Sequence, residues 1–183
     1  MLSRSCQYFL AFYVTLNIMS ERLVMPECDV CDFLPRLDSA FVFIDGTYWN
    51  ANLRDSDQTL LGTTFITLKR HAPELDYLKP EEEDEFIMIR NRLIYAIREA
   101  FSPLTFNLSC LKNDAFKNDP DGTPSERAHV HYHLKPRYGT QTLEFHGERF
   151  TDPAPGRYLA TFERKKPTRE TALQIAATIR QHL

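Results

Sequence analysis

Apolar residues recur at intervals of three and four between positions 86 and 100, the spacing of one face of an α-helix. They are Phe86, Ile89, Leu93, Ile97 and Ala100. Lys79-Pro80 and an acidic run, Glu81 to Glu85, come directly before them, and proline and carboxylates both favour a first helical turn. We therefore predict a long amphipathic helix that packs on a sheet, with its acidic start in solvent.

Two patterns near the end of the chain predict further elements. Residues 142–150 read as a strand, a turn at Gly147 and a short return strand. From Thr168 to Leu183 a threonine cap precedes apolar residues at helical spacing, which predicts a C-terminal helix. Two placements of this helix stay open, since it can close over an active site or pack on a second subunit.

Strict alternation marks the stretch that follows residue 128. His129, His131 and His133 occupy every second position, and apolar or aromatic side chains, Val130, Tyr132 and Leu134, lie between them. In a strand the three imidazoles share one face and the apolar side chains share the other. At about 3.3 Å per residue, the first and third histidines stand about 13 Å apart, too far to meet one small ligand. We infer that their roles are divided.

These residues resemble the histidine-triad family of nucleotide hydrolases and transferases, whose motif is His-φ-His-φ-His-φ-φ with φ apolar. Lys135 departs from it at the last position, and Gly62-Thr-Thr-Phe-Ile-Thr-Leu-Lys-Arg-His71 resembles the family's glycine-led strand that ends in Lys-x-His. The resemblance covers most of residues 28–139. It implies an α+β fold in which a five-stranded antiparallel sheet is paired with the long amphipathic helix and the C-terminal helix.

A metal site is the second candidate constellation. Cys28 and Cys31 form a Cys-x-x-Cys pair, which alone fits a redox pair or two ordinary thiols equally well. Some bacterial members of the family hold zinc with such a pair, the histidine of Lys-x-His and the first triad histidine. The resemblance thus implies a structural zinc bound by Cys28, Cys31, His71 and His129, and two thiolates with two imidazoles suit a closed tetrahedral site.

The same resemblance implies the catalytic roles. His131 is expected to attack the α-phosphorus of a nucleotide as a neutral imidazole, and His133 to bind the non-bridging oxygens. For substrate binding it implies Asp55 at the ribose hydroxyls, and Asn113, Ser125 and Thr63 at the phosphate. The ordinary alternatives are a surface carboxylate for Asp55 and a turn residue for Asn113.

Three departures from the family bear on the substrate. Thr63 replaces a histidine, the loop from Asp114 to Arg127 is long and polar, and Pro124-Ser125-Glu126 replaces Gly-Gln-Ser. We expect a nucleotide hydrolase that forms a nucleotidyl-histidine intermediate and cleaves an adenine or guanine nucleotide conjugate, either a dinucleoside polyphosphate or a nucleoside phosphoramidate. The alternatives are a nucleotidyltransferase with an acceptor other than water, or a non-catalytic nucleotide-binding module.

Composition sets the remaining expectations. The chain has 183 residues, 43% of them hydrophobic, and a net charge of −3, which fits one domain and gives no electrostatic reason to bind nucleic acid. We divide it into an apolar N-terminal extension (1–24), a histidine-triad domain (25–139) and a C-terminal extension (140–183). The apolar N-terminal extension is too short to span a bilayer, and it resembles either a weak signal peptide or a misassigned start. We expect a cytoplasmic protein without membrane association, and the family implies a homodimer.

Overall fold

The computed structural model describes residues 25, 28–112, 127–157 and 164–183. The N-terminal extension, Asn113 and Ser125 therefore lie outside the described residues. Short 3₁₀ turns span Leu34–Arg36, Ser39–Phe41 and Leu75–Tyr77. The helices and strands are α1 (Asp29–Phe33), β1 (Val42–Asp45), β2 (Trp49–Leu53), β3 (Thr64–Leu68), α2 (Pro80–Phe101), β4 (Thr105–Ser109), β5 (His131–Arg137), β6 (Thr142–Phe145), β7 (Glu148–Thr151) and α3 (Arg169–Arg180).

Five of these strands form one antiparallel sheet in the order β1-β2-β3-β5-β4, which confirms the predicted α+β fold. The triad strand β5 lies between β3 and β4, and its register places His131 opposite Thr67 and His133 opposite Phe65. Because side chains alternate along each strand, one face of the sheet is polar and carries Asn50, Asn52, Phe65, Thr67 and the two triad histidines.

The opposite face of the sheet is apolar and is covered by α2. Trp49, Leu53, Ile66 and Leu134 are fully or almost fully buried there. The helix presents the predicted stripe to them, and its buried residues include Phe86, Ile89, Leu93 and Ile97. Each such side chain contributes roughly 1.5–3 kcal/mol by leaving water. This packing fixes β5 against α2, and the face of β5 that carries His131 and His133 points away from the core.

The acidic start of α2 differs from its expected solvent-exposed placement, because two of its carboxylates hold other parts of the chain. Glu82 is 1% exposed and accepts from Arg70 Nε at 2.6 Å and from Arg70 Nη2 at 2.7 Å. Glu85 accepts from three successive backbone N–H groups, at Thr47, Tyr48 and Trp49, over 2.6–3.0 Å. The helix start is therefore fastened both to the end of β3 and to the β1–β2 turn.

The C-terminal elements agree with their sequence patterns. β6 and β7 form an antiparallel hairpin whose turn contains Gly147 at a φ of +75°, a conformation that glycine adopts readily. The Thr168 hydroxyl caps α3 by accepting from Thr171 N at 3.1 Å. Ala172, Ile175 and Ile179 of this helix are buried in the same core as α2, so α3 packs on its own chain.

The segment that leads into α3 also lies against the loop between β2 and β3. Gln58 N donates to the Lys165 carbonyl at 2.7 Å, and Lys165 N donates to the Thr59 hydroxyl at 3.0 Å. Gln58 is fully buried, and its amide holds the loop closed through Arg54 O, Thr63 O and Gly62 N. Lys165 is thereby held against the β2–β3 loop. Within the described ranges, no helix has the length and apolar character needed to cross a bilayer.

Candidate functional site

Two cysteines and two histidines meet at one end of the sheet. Cys28 caps α1 and Cys31 lies within it, while His71 follows β3 and His129 lies two residues before β5. All four side chains are buried, and their ligand atoms lie within 4.8 Å of one another. The predicted zinc ligands are therefore brought together as a cluster that could hold a metal ion.

The distances in this cluster fit a tetrahedral metal. Cys31 Sγ lies 3.5 Å from His71 Nδ1 and 3.4 Å from His129 Nδ1, and Cys28 Sγ lies 3.5 Å from His129 Nδ1. Zinc bonds of about 2.3 Å to sulfur and about 2.0 Å to nitrogen at a tetrahedral angle separate the two ligand atoms by about 3.5 Å. The four residues present therefore fit a tetrahedral ion of this size.

The protonation states of His129 and Cys28 also favour binding of a metal cation in this cluster. His129 Nε2 lies 2.7 Å from the Leu68 carbonyl, so Nε2 carries the proton and donates, and Nδ1 faces the thiols with its lone pair. Burial lowers the pKa of His129 to about 4, which keeps its imidazole neutral. Burial also raises the pKa of Cys28 to about 11, so its thiolate needs a compensating positive charge of the kind a bound metal supplies.

His131 lies next to this cluster and points onto the polar face. Its Nδ1 is 2.8 Å from the His129 carbonyl, so this nitrogen donates and the neutral ring keeps a lone pair on Nε2. His133 Nε2 lies 3.2 Å from His131 Nε2 and supplies the hydrogen of that contact. The strand backbone thus sets the His131 tautomer that a nucleophile requires.

His133 is held neutral in a buried and positively charged setting. It is 7% exposed, and the edge of the Phe65 ring lies against it with centroids 4.7 Å apart. Burial, followed by the nearby charges of His131, Arg54, Lys135 and Arg164, lowers its pKa to about 3. Its Nδ1 is buried and has no hydrogen-bond partner among the described residues. The ring therefore has an acceptor nitrogen left for another donor.

The predicted substrate-binding residues are only partly placed. Asp55 lies in the turn that follows β2 and is half-buried. Thr63 is 3% exposed, and its hydroxyl donates to the Leu60 carbonyl at 2.7 Å, which ties it to the local turn. Since Asn113 and Ser125 lie outside the described ranges, the substrate contacts of all four residues stay predictions.

Sequence reasoning missed two asparagines on the polar face. Asn50 and Asn52 alternate with Trp49, Ala51 and Leu53 along β2, and the side-chain oxygen of each is buried without a hydrogen-bond partner in the described part of the chain. A buried amide oxygen that lacks a donor is costly unless something fills the site. The period-two alternation of asparagine with apolar residues was the available signal.

Comparison with known proteins supports the fold. No protein-family model matches the sequence, and no curated protein matches it. A zinc-bound histidine-triad family protein from Mycobacterium smegmatis is 20% identical over 85% of this chain and 94% of its own, with a TM-score of 0.54. Diadenosine triphosphate hydrolase from Plasmodium falciparum is 17% identical over 79% and 77%, with a TM-score of 0.50.

A uridylyltransferase also matches, at 16% identity and a TM-score of 0.61, over 97% of this chain and 49% of that enzyme. Several other solved structures that match are histidine-triad proteins. The chain therefore has the histidine-triad fold, and the resemblance seen in its sequence is confirmed at the level of the fold. Nucleotide hydrolases and transferases both occur among the proteins that share it.

Proposed function

We propose that the protein is a nucleotide hydrolase that attacks the α-phosphate of a nucleotide conjugate through a nucleotidyl-histidine intermediate. The observation that carries this proposal is the arrangement of His131, whose Nδ1 donates to the His129 carbonyl at 2.8 Å. This contact leaves the lone pair of Nε2 for the phosphorus, on the polar face of the sheet. We propose His131 as the nucleophile and His133 as the residue that binds the phosphoryl oxygens.

The reaction would proceed in two displacements. His131 Nε2 bonds to the α-phosphorus, and the bond from phosphorus to the leaving group breaks with its electron pair on the leaving group. The hydrogen on His133 Nε2, which contacts His131 Nε2 at 3.2 Å, then loses that acceptor and can turn to a non-bridging phosphoryl oxygen, where negative charge has accumulated. Water attacks next and loses a proton to solvent, the nitrogen–phosphorus bond breaks with its electron pair on His131 Nε2, and a nucleoside monophosphate leaves.

The remaining parts of the proposal follow the predicted site. Asp55 would receive the ribose hydroxyls, and Asn113, Ser125 and Thr63 would contact the phosphate. The conjugate would carry adenine or guanine, joined to a phosphoramidate or to a second nucleotide through polyphosphate. The ion in the Cys28, Cys31, His71 and His129 cluster would be zinc, which would fix the structure around His131 and take no part in the displacement. The protein would act as a cytoplasmic homodimer.

A nucleotidyltransferase is the second candidate. It is favoured by the match to a uridylyltransferase, which extends over 97% of this chain. Both functions share the His131 intermediate and differ only in whether water or another acceptor receives the nucleotidyl group. A non-catalytic nucleotide-binding module would bind nucleotide without forming this intermediate.

The test is chromatography of nucleotides after incubation with an adenosine phosphoramidate, a dinucleoside polyphosphate or a nucleoside diphosphate sugar. The hydrolase proposal requires release of nucleoside monophosphate by wild type and its loss in His131→Ala. His182→Ala removes an exposed histidine beyond α3 and serves as the matched control. Intact-mass measurement of acid-free, rapidly quenched samples would detect a nucleotidyl adduct. An adduct that persists without product favours a transferase, and nucleotide binding with neither adduct nor product would refute catalysis.

A further inference from the structure

Positive charge is concentrated on the polar face beyond His133. Lys135 follows His133 by two residues, so it projects from the same face about 7 Å further along β5. Arg54 lies at the end of β2, and its guanidinium carbon is 5.1 Å from the centre of the Phe65 ring. The same ring meets His133 edge-on at 4.7 Å. Two cations thus border the residue proposed to bind the phosphoryl oxygens.

Arg164 is the third cation, and the C-terminal extension brings it there. The neighbouring Lys165 is bound through its backbone to Gln58 and Thr59, in the loop that begins after Arg54. Arg164 directly precedes Lys165, so its backbone lies at the same loop, and its charge lowers the pKa of His133, of Lys135 and of Arg54. Arg164 is exposed and Lys135 is half-buried, so both can be reached from solvent.

Within the described part of the chain, these three cations outnumber the two carboxylates that lie next to Arg54 in the same turn, Asp55 and Asp57. Asp57 pairs with Arg54 at 3.1 Å and is the carboxylate whose charge acts on Arg54 and Lys135. Arg54 Nε is buried without a hydrogen-bond acceptor, and neither Lys135 nor Arg164 has an ion-pair partner among the described residues. The whole chain carries a net charge of −3, so an excess of cations here is a local feature. Its position beside His133 suits an anion.

We propose that Arg54, Lys135 and Arg164 form an anion-binding subsite for a second phosphate group of the substrate, in addition to the α-phosphate. This proposal rests on the nucleotide site of the proposed function. The second phosphate can reach the subsite in two ways, through the phosphate chain of the leaving group or through a phosphate on the ribose. The ribose route is supported by Asp55, the residue proposed for the ribose hydroxyls, which directly follows Arg54.

The experiment measures binding and needs no turnover. Calorimetry in magnesium-free buffer would give Kd values for AMP, for adenosine 3′,5′-bisphosphate and for α,β-methylene ATP, whose methylene bridge resists cleavage at the α-phosphate. The readout is the ratio of the AMP Kd to the Kd of each of the two ligands that carry more than one phosphate. The variants are Lys135→Gln and Arg164→Gln, and the second concerns an exposed side chain that the fold does not depend on. Lys166→Gln removes an exposed charge two residues away and is the matched control.

In wild type we expect at least one of the two ligands to bind roughly tenfold more tightly than AMP, the size of one charge-assisted hydrogen bond. Tighter binding of α,β-methylene ATP would indicate the route through the leaving group, and tighter binding of adenosine 3′,5′-bisphosphate would indicate the route through the ribose. Each subsite variant should reduce that ratio several-fold, and Lys166→Gln should preserve it. Equal Kd values for all three ligands in wild type, or an unchanged ratio in both subsite variants, would overturn the subsite even if the nucleotide panel is hydrolysed. A ratio that the variants abolish, without hydrolysis of the panel, would support the subsite and refute the hydrolase.

Discussion

Replacing Glu82 with glutamine should strongly destabilise the protein, because it leaves a guanidinium buried without its counter-charge. Arg70 is 9% exposed and donates two hydrogen bonds to Glu82, at 2.6 and 2.7 Å. Burial by itself would raise the pKa of Glu82, but the hydrogen bonds from Arg70 and from Lys79 N lower it below its usual range. The carboxylate is therefore ionised at neutral pH and forms a bidentate ion pair with the guanidinium.

The expected cost of Glu82→Gln follows from this geometry. Removing one partner of a buried ion pair costs about 3–5 kcal/mol, and glutamine keeps one acceptor oxygen, so we expect about 3 kcal/mol. For a chain of this length that corresponds to a fall in Tm of roughly 6–12 °C. Replacing both partners, in Arg70→Met with Glu82→Met, removes the unpaired charge and should cost less than the sum of the two single changes.

Urea unfolding, followed by tryptophan fluorescence, measures the coupling between Arg70 and Glu82 in a double-mutant cycle. The four proteins are wild type, Arg70→Met, Glu82→Met and the double variant. Trp49 reports on this region because its Nε1 donates to the Glu82 carbonyl at 2.7 Å. Glu83→Gln removes a neighbouring exposed carboxylate and should change the free energy of unfolding by less than about 0.5 kcal/mol. Additive losses in the double variant would show that the two side chains do not act as a pair, and the reasoning would be refuted.

Three further predictions concern the turn, the metal and pH. Gly46→Ala places a Cβ 2.8 Å from Glu85 Oε1 and should cost about 2 kcal/mol in urea unfolding, because it displaces a carboxylate that holds three backbone N–H groups. In a Glu85→Ala background the same change should be nearly neutral, because the side chain that it displaces is absent. Cys31→Ser should abolish stoichiometric metal in elemental analysis and lower Tm, while Cys110→Ser should retain the metal. The pKa of His133 is lowered to about 3 in the folded protein, so its contribution to the free energy of unfolding is fully present above pH 6.5 and is lost as pH falls from there towards 3. His133→Asn should reduce that slope by up to about 1.4 kcal/mol per pH unit, and identical pH profiles would contradict this.

The elements that carry strong periodicity were predictable from the sequence. The stripe from Phe86 to Ile97, the alternation around His131 and the turn at Gly147 each depend on local geometry, and the structure confirms all three. The metal cluster was predictable through the resemblance, because its four residues match motif positions. Nothing in the spacing alone brings Cys28 to within 3.5 Å of a histidine 101 residues away.

The contacts that sequence reasoning missed depend on tertiary packing. Glu82 occupies the same helical stripe as Phe86 and Ile89, so its burial had a visible signal, but its partner Arg70 lies in a loop that only the fold brings near. The placement of Arg164 could not be predicted either, because it depends on the hydrogen bonds of Lys165 to the β2–β3 loop, and no local sequence pattern indicates those bonds. The acidic run at the start of α2 was expected in solvent, and for Glu82 a partner distant in sequence, Arg70, decided the outcome.

His129 links the metal cluster to the proposed nucleophile, because its side chain and its backbone contact different partners. Its imidazole lies among the four metal-site side chains, and its backbone carbonyl accepts from His131 Nδ1 at 2.8 Å. A shift of this one residue would therefore free the His131 ring to rotate and to change tautomer, although in the proposed reaction the ion would make no contact with the substrate. A chelator would then inhibit by removing the ion and would not occupy the nucleotide pocket, and the specific activity of a preparation would follow its metal occupancy.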